Sequence, residues 1–222
     1  MLRVRDNHFW DMLKMENTLP EDLEDAWDHG MLVSSLAGMI ARQLGQSEEF
    51  CREIELAGMV HDVGKLQVGE YLYGRQEGTL AIEEMQYVRL HPVLGFERLK
   101  QIGGFSDKVL EAVYYHHENY DGSGYPSNLR GERIPFAARI LRVCDVYVAL
   151  TSERPYRAAF DLETAVELMI DEVKNFDMQI FLALLAVVHS EEMREMQEFT
   201  KRSNQKIKAR NIKETIKMEA IL

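Results

Sequence analysis

Cysteine is scarce in this chain of 222 residues: only Cys51 and Cys144 are present. Both sit in apolar stretches without CxxC spacing, which predicts two reduced core thiols rather than a disulfide or a zinc site. Long apolar runs are missing too. The longest, Ile180 to Val188, falls well short of the roughly 20 residues a membrane-spanning helix needs. The N-terminus, Met1-Leu2-Arg3-Val4-Arg5-Asp6, carries charge where a signal peptide has an apolar core. A cytoplasmic location with no direct membrane insertion is therefore expected. There is no basic excess either. The formal net charge of −11 argues against electrostatic binding to DNA or to an anionic membrane surface.

What is present is an ordinary globular composition, 46% hydrophobic and 28% charged, long enough for one substantial domain and a helical extension. The apolar residues recur at helical spacing almost everywhere. Thr18-Leu19-Pro20-Glu21 has the T-x-x-E capping pattern, with proline in the first turn. His29, Leu32, Val33, Leu36, Ile40 and Leu44 then follow one helix face until Gly45. Ser47 is placed to cap a helix through Phe50, Ile54, Ala57 and Val60 into His61-Asp62, with Gly64 as its terminator. A glycine-bearing loop over 66–78 precedes helices predicted for about 80–91 and for Pro92 to Leu99. Ser106 or Asp107 caps a helix into His116-His117. The segment from Asn119 to Pro135, with Gly122, Gly124, Gly131 and Pro126, reads as the main irregular stretch. Helices from Pro135, from Asp161, and from near Asp177 toward the C-terminus complete the pattern. With no strand-like alternation, the fold class is all-α. The organisation expected is an N-terminal arm over 1–20, a catalytic domain over 21–189, and a charged helical extension over 190–222.

The chemistry gathers at His29, His61, Asp62, His91, His116, His117 and Asp145, which fall on apolar faces or at helix ends. A single histidine on an apolar face is most often a hydrogen-bonded core residue. Asp145 is harder to dismiss. Set between Val143-Cys144 and Val146, its carboxylate needs a cation, either Arg142 or a metal. The adjacent pairs His61-Asp62 and His116-His117 diverge by about 100° on a helix, so each pair can reach two separate points. A carboxylate can offer one oxygen to each of two ions, and imidazoles suit Fe, Mn, Ni or Zn as terminal ligands. An acidic chain acting on a phosphate ester needs local positive charge, and a metal pair supplies it while activating a bridging hydroxide.

His61-Asp62-Val63-Gly64-Lys65 resembles the HDxGK signature of HD-domain phosphohydrolases. His116-His117-Glu118-Asn119-Tyr120-Asp121-Gly122-Ser123-Gly124-Tyr125-Pro126 resembles the HHExxDGxGYP signature of the HD-GYP family at every fixed position. His91-Pro92-Val93-Leu94-Gly95 is similar to its HPxxG, and Asp145 through Arg157 to its DxxxALTSxRPYR segment. The resemblance runs from about His29 to Asp177. It implies an HD-domain helical bundle with an extended C-terminal helix. It also implies a metal-dependent phosphodiesterase that cleaves cyclic di-GMP to linear pGpG and on to GMP through a metal-bridging hydroxide.

Carried over by position, His29, His61, Asp62, His91, His116, His117 and Asp145 are implied metal ligands, with Asp62 bridging. The cofactors implied are two divalent ions, Fe or Mn before Ni or Zn. Asp25, where some members have a glutamate, bears on a third. Asp62 and Lys65 are the implied catalytic residues. Lys65, Arg154 and Arg157 are candidates for substrate phosphates or a guanine edge. The loop Asp121, Gly122, Gly124, Tyr125 and Pro126 shapes the rim of the site or presents Tyr125 to a partner, and Asp121 is suited to anchoring it. Two alternatives stand beside cyclic di-GMP hydrolysis: a hydrolase of another cyclic dinucleotide such as cyclic GMP-AMP, and a signalling module acting through GYP-loop contacts. A GGDEF-type or sensory protein partner and a homodimer are the assemblies considered.

Overall fold

The computed structural model describes residues 20–68, 82–153, 157–194, 196–198, 200–202 and 205, with side chains described from Ala26 in the first helix and from Met85 in the helix after residue 81. In chain order the helices are α1 (Pro20–Gln43), α2 (Glu48–Val60), α3 (Ile82–Val88), α4 (His91–Ile102), α5 (Asp107–Tyr115), α6 (Phe136–Thr151), α7 (Leu162–Asp171) and α8 (Met178–Val187). Short 3-10 turns cover Val63–Gln67, Gly131–Arg133 and Val173–Asn175. The architecture is an all-α bundle, with no strand among the described residues.

The central element is α6, which packs against α1, α2, α5, α7 and α8. It is apolar nearly all round. Ala137, Ala138, Ile140, Leu141, Val143, Cys144, Tyr147 and Val148 are all buried, and Asp145 is buried among them. Such a helix is stable only when sheathed on every side. Each fully buried Ile or Leu contributes about 1.5–3 kcal/mol to that sheath. Cys51 and Cys144 are free and buried, as expected. No helix among the described residues is long and apolar enough to cross a membrane.

Local signals set most boundaries. The Ser47, Ser106 and Asp161 side chains accept the Phe50, Val109 and Thr164 amides, capping α2, α5 and α7. Three expectations are revised. Gly64 does not terminate α2, which ends at Val60. It lies inside the following 3-10 turn. The helix expected over 80–91 ends at Val88, and a turn at Arg89-Leu90 separates it from α4. The last stretch is not one continuous helix. A turn at 188–190 interrupts it, because Ser190 accepts the Met193 amide and caps a new helical segment seen at 191–194, 196–198, 200–202 and 205. The Thr18 cap and residues 69–78 of the expected loop lie outside the described residues, as do 206–222 of the extension.

Candidate metal centre

Three helix ends meet beside the middle of α6. His61 and His116 cap the C-termini of α2 and α5, and His91 follows α3 by two turn residues. In each, Nδ1 donates to the carbonyl three residues earlier: His61 to Gly58 O (2.7 Å), His91 to Val88 O (2.7 Å) and His116 to Val113 O (2.6 Å). Those carbonyls are last-turn groups with no helical donor of their own. The bond fixes the tautomer, so each Nε2 presents a lone pair to the centre.

The donor atoms form two clusters. His29, His61 and Asp145 make one; Asp62, His91, His116 and His117 make the other. Within each, the atoms lie inside 4.8 Å of one another. Asp62 spans both. Its Oδ1 lies 3.2 Å from His91 Nε2 and 3.8 Å from His116 Nε2, and its Oδ2 lies 3.4 Å from His61 Nε2 and 3.7 Å from His29 Nε2. His29 Nε2 also stands 3.2 Å from Asp145 Oδ1. All seven ligands implied by sequence are thus brought together. The carboxylate of Asp145 faces His29 and His61, while Arg142 bonds Asn119 Oδ1 at 2.9 Å.

This arrangement fits divalent cations. His91 Nε2 lies 3.1 Å from both His116 Nε2 and His117 Nε2. Two of these carry unprotonated nitrogens by the tautomer argument, so their lone pairs repel unless a cation sits between them. His61 Nε2 and Asp62 Oδ1 are buried and have no hydrogen-bond partner, a state that costs about 1–3 kcal/mol per group unless something binds there. The set contains imidazole and carboxylate without thiolate, the signature of a catalytic rather than a structural site.

At His29, His116, His117, Asp62 and Asp145 the surroundings favour the charge state of a ligand. Burial pushes His116 and His117 well below the ordinary imidazole range; the neighbouring His117 adds to this for His116, and Asp145 opposes it for His117. Burial likewise lowers His29, against the pull of Asp145. At His61 burial is outweighed by the Asp62 and Asp145 carboxylates, and the pKa rises. Burial opposes ionisation of Asp62 and Asp145, yet both stay well below the usual carboxylate range. His61 and Lys65 hold Asp62 there, and the hydrogen bond from His29 together with the nearby His61 ring holds Asp145. Lys65 Nζ sits 2.5 Å from Asp62 Oδ2 with part of its side chain exposed.

The loop after α5 is built on Glu118, buried at 1% exposure, whose two oxygens accept the Ser127 amide (2.6 Å) and the Leu129 amide (2.9 Å). Asp121 anchors the loop through Ser123, accepting its amide at 2.9 Å and its hydroxyl at 2.6 Å. Gly122 has φ +87°, a conformation that disfavours side chains. Gly124 is needed for space: a Cβ would lie 2.2 Å from Asn119 N and 2.5 Å from His117 O. The loop lays Tyr125 flat on His117, ring centroids 4.8 Å apart at 20°, with the Arg89 guanidinium 5.2 Å from the tyrosine centroid.

Glu118 and Arg89 carry weight that sequence reading missed, and Arg142, a candidate cation for Asp145, bonds Asn119 instead. Glu118 adjoins two candidate ligands and gives no sign in sequence that it faces away from them. Arg157, expected to meet substrate, bonds the backbone here. Its guanidinium donates to Ala149 O (2.7 Å), Leu150 O (3.1 Å) and Ala158 O (2.9 Å) and stacks 4.5 Å from the Phe160 centroid, stapling the end of α6. Arg154 and the Asp25 side chain lie outside the described residues.

Comparison with known proteins agrees with this architecture. A family profile described as HD domain matches residues 8–180. The chain is 37% identical over 165 residues to a cyclic di-GMP phosphodiesterase of Pseudomonas aeruginosa, covering 74% of this chain and 40% of that protein. It is 34% identical over 169 residues to a 3′3′-cGAMP-specific phosphodiesterase of Vibrio cholerae, covering 75% and 39% respectively. The chain thus spans about 40% of the length of these curated relatives. In fold it is similar to the crystal structure of a cyclic GMP-AMP-specific phosphodiesterase of V. cholerae, with a TM-score of 0.62, 16% identity, and coverage of 86% of this chain and 50% of that one. With the profile covering most of its length and the motif histidines and aspartates converging on one centre, the chain belongs to the HD-domain family.

Proposed function

We propose that this chain, through a catalytic unit at residues 21–189, is a cytoplasmic metal-dependent phosphodiesterase that opens cyclic di-GMP to linear pGpG and cleaves it on to GMP. The observation that carries the reading is the two-lobed donor cluster with Asp62 placed between the lobes. His29, His61 and Asp145 would hold one divalent ion and His91, His116 and His117 a second, with one Asp62 oxygen for each. The mixed imidazole–carboxylate set suits Fe or Mn, with Ni or Zn as alternatives. When bound, such a pair polarises a phosphate oxygen and lowers the pKa of water.

The chain's own groups supply the rest. The Nδ1 bonds of His61, His91 and His116 hold the imidazoles in the tautomer a metal needs. Lys65, at the mouth on Asp62 Oδ2, places an ammonium where charge builds on a non-bridging phosphate oxygen. The Tyr125 ring covers His117 and keeps water from its face. Two relatives support a cyclic dinucleotide as substrate, and they differ in which one they act on. Cyclic GMP-AMP is therefore the second reading.

The test is direct. Protein purified anaerobically and loaded with Fe(II) or Mn(II) is given cyclic di-GMP and 3′3′-cGAMP, and products are followed by chromatography beside Asp62→Ala. Conversion of cyclic di-GMP to pGpG, lost in the variant, is expected. Exclusive turnover of 3′3′-cGAMP would move the assignment to the second reading, and turnover of neither by the loaded protein would refute both.

A further inference from the structure

In a chain of net charge −11, cations that stand without a carboxylate are conspicuous. Arg142 is one. It lies on α6 one turn before Asp145, and its Nε donates to the neutral Asn119 Oδ1 at 2.9 Å. Among the described residues no carboxylate comes within ion-pair distance of it and its remaining N–H groups have no protein acceptor. Its Nη atoms are not sealed in, unlike Nε of Arg139 on the same helix. Largely buried guanidinium is costly to keep without a counter-charge.

Arg89 is the second. It occupies the exposed turn between α3 and α4, two residues before His91, and covers the Tyr125 ring with no carboxylate partner among the described residues. Tyr125 in turn covers His117. Both arginines therefore border the Tyr125 side of the metal centre, Arg89 over the ring and Arg142 bonded to Asn119 in the segment that carries it. Lys65 stands apart from them on Asp62.

A cyclic dinucleotide carries two phosphates fixed across one macrocycle. When one lies at the metals, the other must rest on the protein a few ångströms away, where a cation without a partner is the natural seat. We propose that Arg142 and Arg89, flanking Tyr125, receive the substrate phosphate that is not being cleaved, and so select cyclic dinucleotides over simple phosphodiesters. Asn119 positions Arg142 for this through the Nε bond. The proposal rests on the phosphodiesterase reading above.

The experiment compares two substrates in metal-loaded protein: cyclic di-GMP, with a second phosphate, and bis(p-nitrophenyl) phosphate, with none. For Arg142→Gln and for Arg89→Gln, the ratio of kcat/KM on the first to kcat/KM on the second is expected to fall about 10- to 100-fold, the range of one charge-assisted hydrogen bond. The change should lie mainly in KM, and Arg142→Lys should recover part of it. Calorimetric affinity of metal-free protein for cyclic di-GMP should fall in the same variants. A ratio unchanged in both glutamine variants would overturn the seat, since a merely structural role lowers both substrates together. Should Arg142→Gln fail to fold, Arg89→Gln, at an exposed position, decides. Wild-type protein that cleaves bis(p-nitrophenyl) phosphate but no cyclic dinucleotide overturns the phosphodiesterase reading and the seat with it. Wild-type cleavage of both, with indifferent variants, overturns the seat alone.

Discussion

Gly64→Ala tests whether backbone contact, rather than the ligands alone, sets the geometry of the centre. Gly64 sits in the 3-10 turn that follows His61-Asp62, with its α-carbon against the start of α4. A Cβ there would stand 2.0 Å from His91 O, 2.6 Å from Gly95 N and 2.9 Å from His91 C. A carbon–oxygen contact ordinarily closes at about 3.3 Å, so the turn and α4 must part by roughly 1 Å. Every atom in the way is backbone, and no rotamer change relieves the clash. Overpacking of this kind costs about 1–3 kcal/mol, and the upper end is expected here.

The same separation moves His91 Nε2 away from Asp62 Oδ1, now 3.2 Å distant. Metal–ligand distances tolerate about 0.2 Å, so affinity should fall on the order of 10- to 100-fold. Urea unfolding of metal-free protein gives the first number, read as a shift in midpoint at constant slope. Manganese bound per chain at micromolar free metal gives the second. A variant within about 0.5 kcal/mol of wild type that still binds its full complement would show that this contact does not set the site.

Three further outcomes follow from the same geometry. His29→Ala and His117→Ala should each remove one ion and spare the other, whereas Asp62→Asn should lower both; elemental analysis showing the two ions lost together in each histidine variant would contradict two lobes. Glu118→Gln leaves only one oxygen for the Ser127 and Leu129 amides and should cost about 1.5–3 kcal/mol in urea unfolding, with no change expected in the α5 cap at Ser106. For metal-free protein, His29, His116 and His117 are held below their ordinary 6.5, so the unfolded chain takes up protons that the fold refuses. Stability should then drop as pH falls below about 6.5, His61 working in the opposite sense, and a melting temperature in EDTA that stays flat or rises from pH 7 to 5.5 would refute this balance.

Much of this was legible in the sequence because it is local. Helical period placed His29, Val33, Leu36 and Ile40 on one buried face, and serine or aspartate caps marked where α2, α5 and α7 begin. The ligand set was legible because the pairs His61-Asp62 and His116-His117 stood out at helix ends and the motif resemblance implied His29, His91 and Asp145 beside them. What escaped reading depends on approach between distant segments. Gly64 looked like a helix stop because glycine usually acts through φ, yet its role is room for His91 O. Arg157 suits an anion by its guanidinium, and nothing in the sequence signals that two carbonyls at the end of α6 and that of Ala158 accept from it. Ser190 lay in an apolar-to-charged transition that read as one helix, and its cap on Met193 cut that helix in two.

The convergence of helix ends also explains why this fold hosts cations. The C-termini of α2, α3 and α5 all point into the centre, through His61, through the Val88–His91 connection and through His116. At His61 and His116 this brings the negative end of a helix dipole, worth about 0.3–1 kcal/mol toward a nearby positive charge, whereas at His91 the start of α4 offsets the end of α3. Each of the three ends also brings last-turn carbonyls that lack donors, and the imidazole Nδ1 groups satisfy Gly58, Val88 and Val113 in turn. A single hydrogen bond per histidine thus caps a helix, fixes the tautomer and aims Nε2 inward. An asparagine or glutamine at these positions could cap the carbonyl through its amide but would present no second nitrogen lone pair. Stability and metal binding are therefore coupled at the same three residues, and a histidine change here should weaken the apo fold even before any metal is added.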